Sequence, residues 1–189
     1  MARLRGRPLE WQGRAPRGAR PGDEEAKVDA LRQAVLIAAT ITTGLVAGLF
    51  YAYACSVMLA LRQVDDRTYI LVMQRINVVI LNGWFAAGFA GAPLLTAAAV
   101  VLHLGEEHRA ALPWIAAALV VYGAMLAITF AIHIPLNNEL DAAGDPARLA
   151  DPGAVRGRFE PRWVRWNVVR AMASTAALGC LSWALIMYG

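Results

Sequence analysis

The sequence has few cysteines and long stretches with no charged residue. Its two cysteines, Cys55 and Cys180, lie in apolar segments, where free cysteine usually packs as a small hydrophobic side chain, so they predict no disulfide framework. Residues 34–61, 76–102, 110–138 and 171–189 contain no Asp, Glu, Lys or Arg. A helix needs about 20 apolar residues to cross about 30 Å of hydrocarbon. Each stretch is therefore a predicted membrane span.

Familiar catalytic signatures are also missing from these stretches. There is no glycine-rich phosphate loop, no serine nucleophile elbow, no pair of catalytic carboxylates and no broken internal repeat of the kind found in transporters. His133 is the only histidine within a span, which argues against haem held by two histidines. The segment from His103 to His108 holds metal-competent side chains, but it is predicted to be a solvated loop, so no metal site is expected.

What is present is mainly hydrophobic sequence. Apolar residues make up 58% of the 189-residue chain, and the mean hydropathy is +0.46. These values predict an all-α integral membrane protein, an up-and-down four-helix bundle that occupies residues 31–189. The predicted spans are approximately 34–61, 76–102, 111–137 and 163–188. The expected location is the plasma membrane, with multiple crossings, and sidedness and homo-oligomerisation are left open.

The segments outside the spans are basic and rich in turn-forming residues. Residues 1–30 are rich in Arg, Pro and Gly and are predicted to be a disordered tail, with the first helix beginning near Asp29. Residues 62–75 are predicted to be a short loop, and Pro161 is expected in the first turn of the fourth helix. The net charge of +4 suits contact with anionic lipid headgroups, and no nucleic-acid partner is predicted.

Polar residues within or beside the spans gather at one membrane depth. They lie where spans one and three end and spans two and four begin, and they comprise Tyr51, Tyr53, Asn77, Asn82, Thr129, His133, Asn137, Asn138, Asn167 and Arg170. Thr129, His133 and Asn137 step by four residues and so share one helical face. A charged side chain such as Arg170 is costly in hydrocarbon and usually faces the protein interior. The cluster predicts either a pocket or a set of structural hydrogen bonds between helices.

Several short motifs carry a resemblance to a known family. They are Gly48–Tyr53, Met73–Asn77, Asn82–Phe85, Pro135–Asn138 and Trp163–Asn167 with Arg170. Together they resemble the anthrone-oxygenase-like family of small four-span membrane proteins. The resemblance implies oxidation of a polyketide anthrone to an anthraquinone by O₂, with no metal or organic cofactor. It also implies a hydrophobic aromatic small molecule as the partner, besides the lipid bilayer.

The resemblance suggests roles for the clustered residues. His133 is the predicted base, and the predicted donors to a developing oxyanion are Asn77, Asn137, Asn167 and Arg170. The predicted substrate contacts are Tyr53, Asn82, Trp84, Thr129 and Trp166. The alternative is a non-enzymatic membrane subunit, or a protein that binds lipid or a small molecule, whose polar cluster is structural. A cavity among the polar side chains that is open to the membrane, or to the loops that follow spans one and three, would favour the enzyme or ligand-binding interpretation. Side chains that close on one another without a void would favour the structural one.

Overall fold

The chain is built from α-helices interrupted by two short π-helical segments. The structure, a computed structural model, describes residues 21–105 and 109–188, and these contain no β-strand. The helices are α1 (Pro21–Ala52), α2 (Met58–Leu61), α3 (Asp66–Val79), α4 (Gly83–Leu102), α5 (Leu112–Ile128), α6 (Ile134–Ala142) and α7 (Pro152–Tyr188). The π segments are Tyr53–Val57 and Thr129–His133, and Pro146–Arg148 forms a 3₁₀ turn. The predicted all-α class is confirmed.

Four continuous helical stretches are long and apolar enough to cross a membrane. They are Asp23–Leu61, Gly83–Leu102, Leu112–Ala142 and Pro152–Tyr188. Large apolar side chains such as Leu45, Val120 and Ile186 are exposed on their outer surfaces, as expected where lipid is the solvent. These features indicate a multi-pass membrane protein.

Small residues allow the long helices to pack closely. α1 packs against α4 and α7, and α5 packs against α4 and α7. Alanines supply much of the buried surface between them, at positions that include Ala39, Ala92, Ala118 and Ala177. Packing rather than a hydrophobic driving force holds helices together in lipid, and small side chains let their backbones approach.

The first helix begins earlier than predicted. α1 starts at Pro21, so residues 21–30 are helical and not part of a disordered tail, whereas residues 1–20 lie outside the described part. Asp23 and Glu24 occupy the first turn, where negative charge interacts favourably with the helix dipole. Lys27 pairs with Glu24 at 2.7 Å on the next turn. These local interactions favour a helix outside the apolar stretch.

The predicted loop between spans one and two contains a helix of its own. The carboxylate of Asp65 accepts hydrogen bonds from the backbone N–H groups of Arg67 and Thr68, both at 3.1 Å, and so caps the start of α3. Asn82 then caps α4 by accepting a hydrogen bond from the N–H of Phe85 at 3.1 Å. The second membrane helix therefore begins at Gly83 and not at residue 76. Asn77 lies on α3, outside the span.

Helix α3 packs with the start of α7 as a cap over one end of the membrane helices. Pro161 is inside α7, contrary to its predicted place in the first turn, because the helix already begins at Pro152. The carboxylate of Asp151 accepts a hydrogen bond from the N–H of Ala154 at 2.9 Å and stabilises this earlier start. A second hydrophobic cluster fills the cap, formed by Met58, Leu61, Tyr69, Ile70, Met73, Leu136, Leu140, Phe159 and Trp163.

Arg156 connects the elements of this cap. Its guanidinium bonds to Glu160 at 2.6 Å on α7 and to Asp66 at 3.0 Å on α3. It also donates to the carbonyl of Val64 at 2.9 Å and lies 4.4 Å from the ring centre of Tyr69. Because this side chain is mostly buried, its charge is matched by carboxylates and carbonyls. Arg156 thus fixes α3 to the start of α7.

Polar contacts among α1, α4 and α7 close the opposite end of the molecule. Arg32 on α1 donates to the carbonyl of Leu102 at 2.8 Å, and the hydroxyl of Tyr188 donates to the carbonyl of Asp29 at 3.1 Å. His103 is fully buried here, with Nδ1 2.7 Å from the carbonyl oxygen of Ala99. The expectation that it lies in a solvated loop is therefore wrong, because the end of α4 is covered by α1 and α7.

Candidate functional site

Both π segments lie at the same end of the membrane helices, beneath the cap. In the first, the N–H of Met58 bonds to the carbonyl of Tyr53, five residues back, and in the second the N–H of Ile134 bonds to that of Thr129. Pro135 follows the second segment and lacks an N–H, so the normal helical pattern could not continue there unchanged. π turns often occur at functional sites. These two place Tyr53 and His133 toward the same space.

That space is a cavity of about 890 Å³ between α4, the end of α3 and the two π segments. Its lining residues are Phe50, Tyr53, Ile76, Asn77, Val78, Ile80, Leu81, Asn82, Gly83, Phe85, Ala86, Phe89, Ala90, Thr129, Phe130, His133, Ile134, Asn137, Asn138, Asp141, Trp163 and Arg170. Such a volume falls within the usual range for a small-molecule site, about 300–1,000 Å³. The walls are mostly apolar, with a few polar groups among them.

Arg170 supplies the buried positive charge of the cavity. The residue is only 8% exposed, and its guanidinium lies 4.1 Å from the ring centre of Phe50 and 5.3 Å from that of Trp163. Its Nε donates to Oδ1 of Asn167 at 3.1 Å. Among the described residues, no carboxylate forms an ion pair with it, and its two terminal nitrogens make no hydrogen bond. The cation is therefore oriented by uncharged groups and remains available to a ligand.

His133 is the buried imidazole of the cavity wall. The residue is 1% exposed, and neither ring nitrogen has a hydrogen-bond partner of ordinary geometry in the described part of the chain. Its ring meets that of Trp163 edge to face, with centres 5.3 Å apart. The indole N–H of Trp163 donates to Oδ1 of Asn137 at 3.0 Å and so holds the indole in place. His133 is thus fixed by ring packing, with both nitrogens uncommitted.

The comparison with known families identifies the chain. The sequence model of the anthrone oxygenase family matches residues 82–180, more than half of the 189 residues. The chain belongs to the anthrone oxygenase family. The matched segment runs from the start of α4 into α7 and contains His133, Asn137 and Arg170. No curated protein and no solved structure matches the chain.

In this member of the anthrone oxygenase family, the cavity contains most of the polar residues expected at the site. Seven of the predicted residues line it, namely Tyr53, Asn77, Asn82, Thr129, His133, Asn137 and Arg170. Asn167 lies behind Arg170, where its Nδ2 donates to the carbonyl of Phe50 at 3.2 Å. It therefore orients the cation from outside the cavity lining.

Two of the predicted substrate contacts form hydrogen bonds with the protein's own backbone. Asn82 accepts from Phe85 and also donates to the carbonyl of Val79 at 2.9 Å, so its amide joins α3 to α4. The hydroxyl of Thr129 donates to the carbonyl of Met125 at 3.0 Å. In contrast, Nδ2 of Asn77 is buried and has no partner in the described part. Asn77 is therefore the free amide donor beside the cavity.

Two aromatic residues predicted as substrate contacts do not line the cavity. Trp84 is 93% exposed on the outer surface of α4, and Trp166 lies on a half-buried face of α7 away from the lining. Trp163 and the stacked pair Phe85 and Phe89, with ring centres 4.9 Å apart, provide the aromatic walls instead. The spacing of Trp163 from Asn167 and Arg170, four and seven residues, was the sequence signal that indicated this face.

The polar groups of the site do not form a metal-binding set. Within residues 21–105 and 109–188, no three His, Cys, Asp or Glu side chains lie close enough together to hold a metal ion. Asp141 is the carboxylate of the cavity lining and sits at its cap end with Asn138. The cavity thus combines an arginine, an imidazole, amides and aromatic rings.

Proposed function

We propose that this protein oxidises an enolisable polycyclic aromatic ketone of the anthrone class to the corresponding quinone, with O₂ and without a bound cofactor. For the parent compound the reaction is C₁₄H₁₀O + O₂ → C₁₄H₈O₂ + H₂O. A base removes a proton from the ring CH₂ group, and the resulting enolate gives its electrons to O₂. The peroxide formed at that carbon loses water as the second hydrogen leaves, which yields the quinone carbonyl. Membership of the anthrone oxygenase family supports this reaction class.

The buried, unpaired cation of Arg170 is the observation that carries the proposal. A charge near the membrane interior costs about 2.5–3.5 kcal/mol on insertion scales, so a fold that keeps one without a carboxylate needs a compensating partner. The enolate oxygen formed from the ketone is such a partner, and it exists only after proton removal. Charge that develops during the reaction is what an oriented donor stabilises best. Arg170 is assigned this role, with Asn77 as a second donor.

His133 is the residue proposed to accept the proton. Neither ring nitrogen has a hydrogen-bond partner of ordinary geometry in the described part of the chain, so the imidazole can act as an acceptor without first breaking such a bond. Ring packing against Trp163 restricts its orientation.

The walls suit a flat aromatic substrate. Phe50, Phe85, Phe89 and Trp163 line the cavity, and Tyr53 lies with its ring centre 5.8 Å from that of Trp163. Aromatic side chains bind planar rings through offset or edge-on contacts. An open cavity of this size also argues against the purely structural role, in which the polar side chains would close on one another. Ligand binding without oxidation is the remaining competitor.

The test is anthrone oxidation by the purified protein in lipid nanodiscs. Formation of anthraquinone is followed by absorbance, and O₂ uptake is followed in parallel. We expect Arg170→Gln to lower kcat/KM by about 100-fold, as for loss of one oxyanion donor. Arg165→Gln is the matched control because Arg165 lies on the same helix but is exposed and outside the cavity lining.

Three results would decide between the alternatives. Unchanged turnover in Arg170→Gln would remove Arg170 from the mechanism. If the unmodified protein binds an anthraquinone but oxidises no anthrone, the result would support a ligand-binding protein and contradict the enzyme. Turnover that needs an added metal ion would contradict the cofactor-free reaction.

A further inference from the structure

Several side chains that line the cavity are also exposed on the outside of the protein. Leu81 at the end of the α3–α4 connection is 78% exposed, and Phe130 in the second π segment is 60% exposed. Both belong to the cavity lining. A side chain that faces a cavity and the outer surface together lies at an opening. The cavity therefore has a side opening.

The opening has α4 on one side and the third membrane helix on the other. Ala86 and Ala90 of α4 line the cavity and are exposed, and so is Ile134 at the start of α6. Between these two alanines on α4, the carbonyl of Phe89 accepts a hydrogen bond from the hydroxyl of Tyr122 at 3.0 Å. That bond joins α4 to α5 directly beside the cavity. Between this bond and the cap, the two helices are separated by the cavity.

The edge of the opening lies within helices that could cross a membrane. Ala86, Phe130 and Ile134 all lie within stretches that are apolar enough to cross a membrane. Polar lining residues, Asn138 and Asp141, occur at the cap end of the same opening. The exposed ring of Trp84, two residues before Ala86 on α4, is typical of an aromatic at the membrane interface. The edge of the opening thus changes from polar to apolar along its length.

We infer that this opening is a lateral doorway through which an apolar, lipid-dissolved aromatic ketone enters the cavity from the bilayer. The identity of the ligand rests on the proposed function, whereas the doorway rests on exposure and lining alone. An anthrone-class ketone is poorly soluble in water and partitions into lipid, so the membrane supplies it at high local concentration. Lateral entry also brings the ring system in edge first, between Phe130 and Ala86.

Adjacent alanines on α4 provide a matched pair of variants. Ala86 and Ala87 are both exposed at nearly the same depth, but only Ala86 lines the cavity. A phenylalanine at 86 narrows the doorway, whereas a phenylalanine at 87 faces lipid. We expect Ala86→Phe to slow both association and dissociation of an unreactive anthraquinone by about tenfold, which corresponds to about 1.4 kcal/mol in the barrier. Its Kd stays nearly constant, and Ala87→Phe leaves both rates unchanged.

The measurement is stopped-flow quenching of tryptophan fluorescence by the anthraquinone in lipid nanodiscs. If Ala86→Phe and Ala87→Phe have equal association and dissociation rates, the ligand does not pass residue 86 and the proposed doorway is wrong. If Ala86→Phe raises Kd through faster dissociation alone, residue 86 contacts the bound ligand and is not part of an entry route, which also overturns the proposal.

A membrane-impermeant ligand tests the source of the ligand independently. Entry from lipid predicts that a sulfonated anthraquinone, which does not partition into the membrane, binds at least tenfold more slowly than the neutral compound. Equal association rates for the two compounds would place the entrance at the cap.

These outcomes separate the doorway from the proposed reaction. Binding through the opening without oxidation of any anthrone would contradict the proposed reaction and still support the doorway. Anthrone oxidation by the unmodified protein, together with equal association and dissociation rates in Ala86→Phe and Ala87→Phe, would support the oxygenase and contradict the doorway.

Discussion

Asn167 holds Arg170 in place from one turn away on the same helix. Oδ1 of Asn167 accepts from Nε of Arg170 at 3.1 Å, while its Nδ2 donates to the carbonyl of Phe50 on α1 at 3.2 Å. The ring centre of the same residue, Phe50, lies 4.1 Å from the guanidinium of Arg170. One amide therefore fixes the cation relative to α1 and leaves its terminal nitrogens directed at the cavity.

Replacing Asn167 by leucine should impair oxidation while Arg170 stays in the protein. A hydrogen bond to a charged group contributes about 1.5–3 kcal/mol, so we expect kcat/KM to fall by about 10- to 100-fold. Because Asn167 acts through Arg170, the loss should appear mainly in kcat, and Asn167→Gln, which keeps an uncharged amide acceptor, should restore part of it.

Thr175→Val is the control for this variant. Its hydroxyl donates to the carbonyl of Ala171 at 2.8 Å within α7, so the change tests general disturbance of the helix. An equal loss of kcat in both variants would contradict a specific effect on Arg170.

Two tyrosines provide opposite predictions for the same substitution. Tyr122→Phe removes the hydrogen bond to the carbonyl of Phe89 and should lower the free energy of unfolding by about 0.5–1.5 kcal/mol. Tyr69→Phe should leave stability unchanged or raise it, because the hydroxyl of Tyr69 is buried without a partner in the described part of the chain. That burial also raises the pKa of the Tyr69 phenol. In thermal unfolding in detergent, Tyr122→Phe should have a lower Tm than Tyr69→Phe. The reverse order would be inconsistent with the assigned hydrogen bonds.

The cap should depend on Arg156 far more than on other surface arginines. Arg156→Met leaves Asp66 and Glu160 without their common cation, and breaking a buried ion pair costs about 3–5 kcal/mol. Arg148→Met removes an exposed pair with Asp145, whose contribution should be about 0–1 kcal/mol. Proteolysis within α3 during unfolding in detergent would report the difference. Equal sensitivity of the two variants would show that Arg156 does not hold the cap.

The start of α3 should respond to acid through Asp65. Hydrogen bonds from the Thr68 hydroxyl, at 2.6 Å, and from backbone N–H groups hold the pKa of this carboxyl below its ordinary value of 3.8. The stabilisation from the charged cap is complete above that ordinary value and is lost as the pH falls through the lower folded value. Asp65→Asn keeps an acceptor oxygen but does not titrate.

We therefore expect Asp65→Asn to unfold at a lower temperature than the unmodified protein at about pH 7. The difference should shrink as the pH falls below the ordinary value of 3.8 and through the lower folded pKa of Asp65. A difference in Tm that stays constant over this range would mean that the charge of Asp65 does not contribute.

The sequence predicted the long helices well and their ends less well. Long stretches without charge, such as residues 34–61 and 110–138, are what a helix needs to cross the hydrocarbon of a membrane. The four long apolar helices could therefore be predicted from the sequence. Helices that extend into water depend on caps instead. Asp65, Asn82 and Asp151 set three helix starts through single hydrogen bonds, and apolar runs do not reveal these.

The polar part of the site was also readable, whereas its apolar walls were not. Arg170 and His133 are rare residue types for a span, and their common depth indicated that they meet. Phe85 and Trp84 are neighbours in an almost wholly apolar helix, so no polar face indicates which of the two points inward. Only the packing of α4 against α1 and α5 places Phe85 inside and Trp84 outside.

The π turn at Thr129–His133 makes the geometry of the site depend on residue count as well as residue type. One residue corresponds to about 100° of rotation around an α-helix, so the extra residue in this turn aims α6 differently from α5. Removing a single residue there would leave the crossing length and apolar character nearly intact. It would nevertheless swing Asn137 and Leu140 away from Trp163 and the cap, so a chain of almost identical composition would lose this arrangement of side chains.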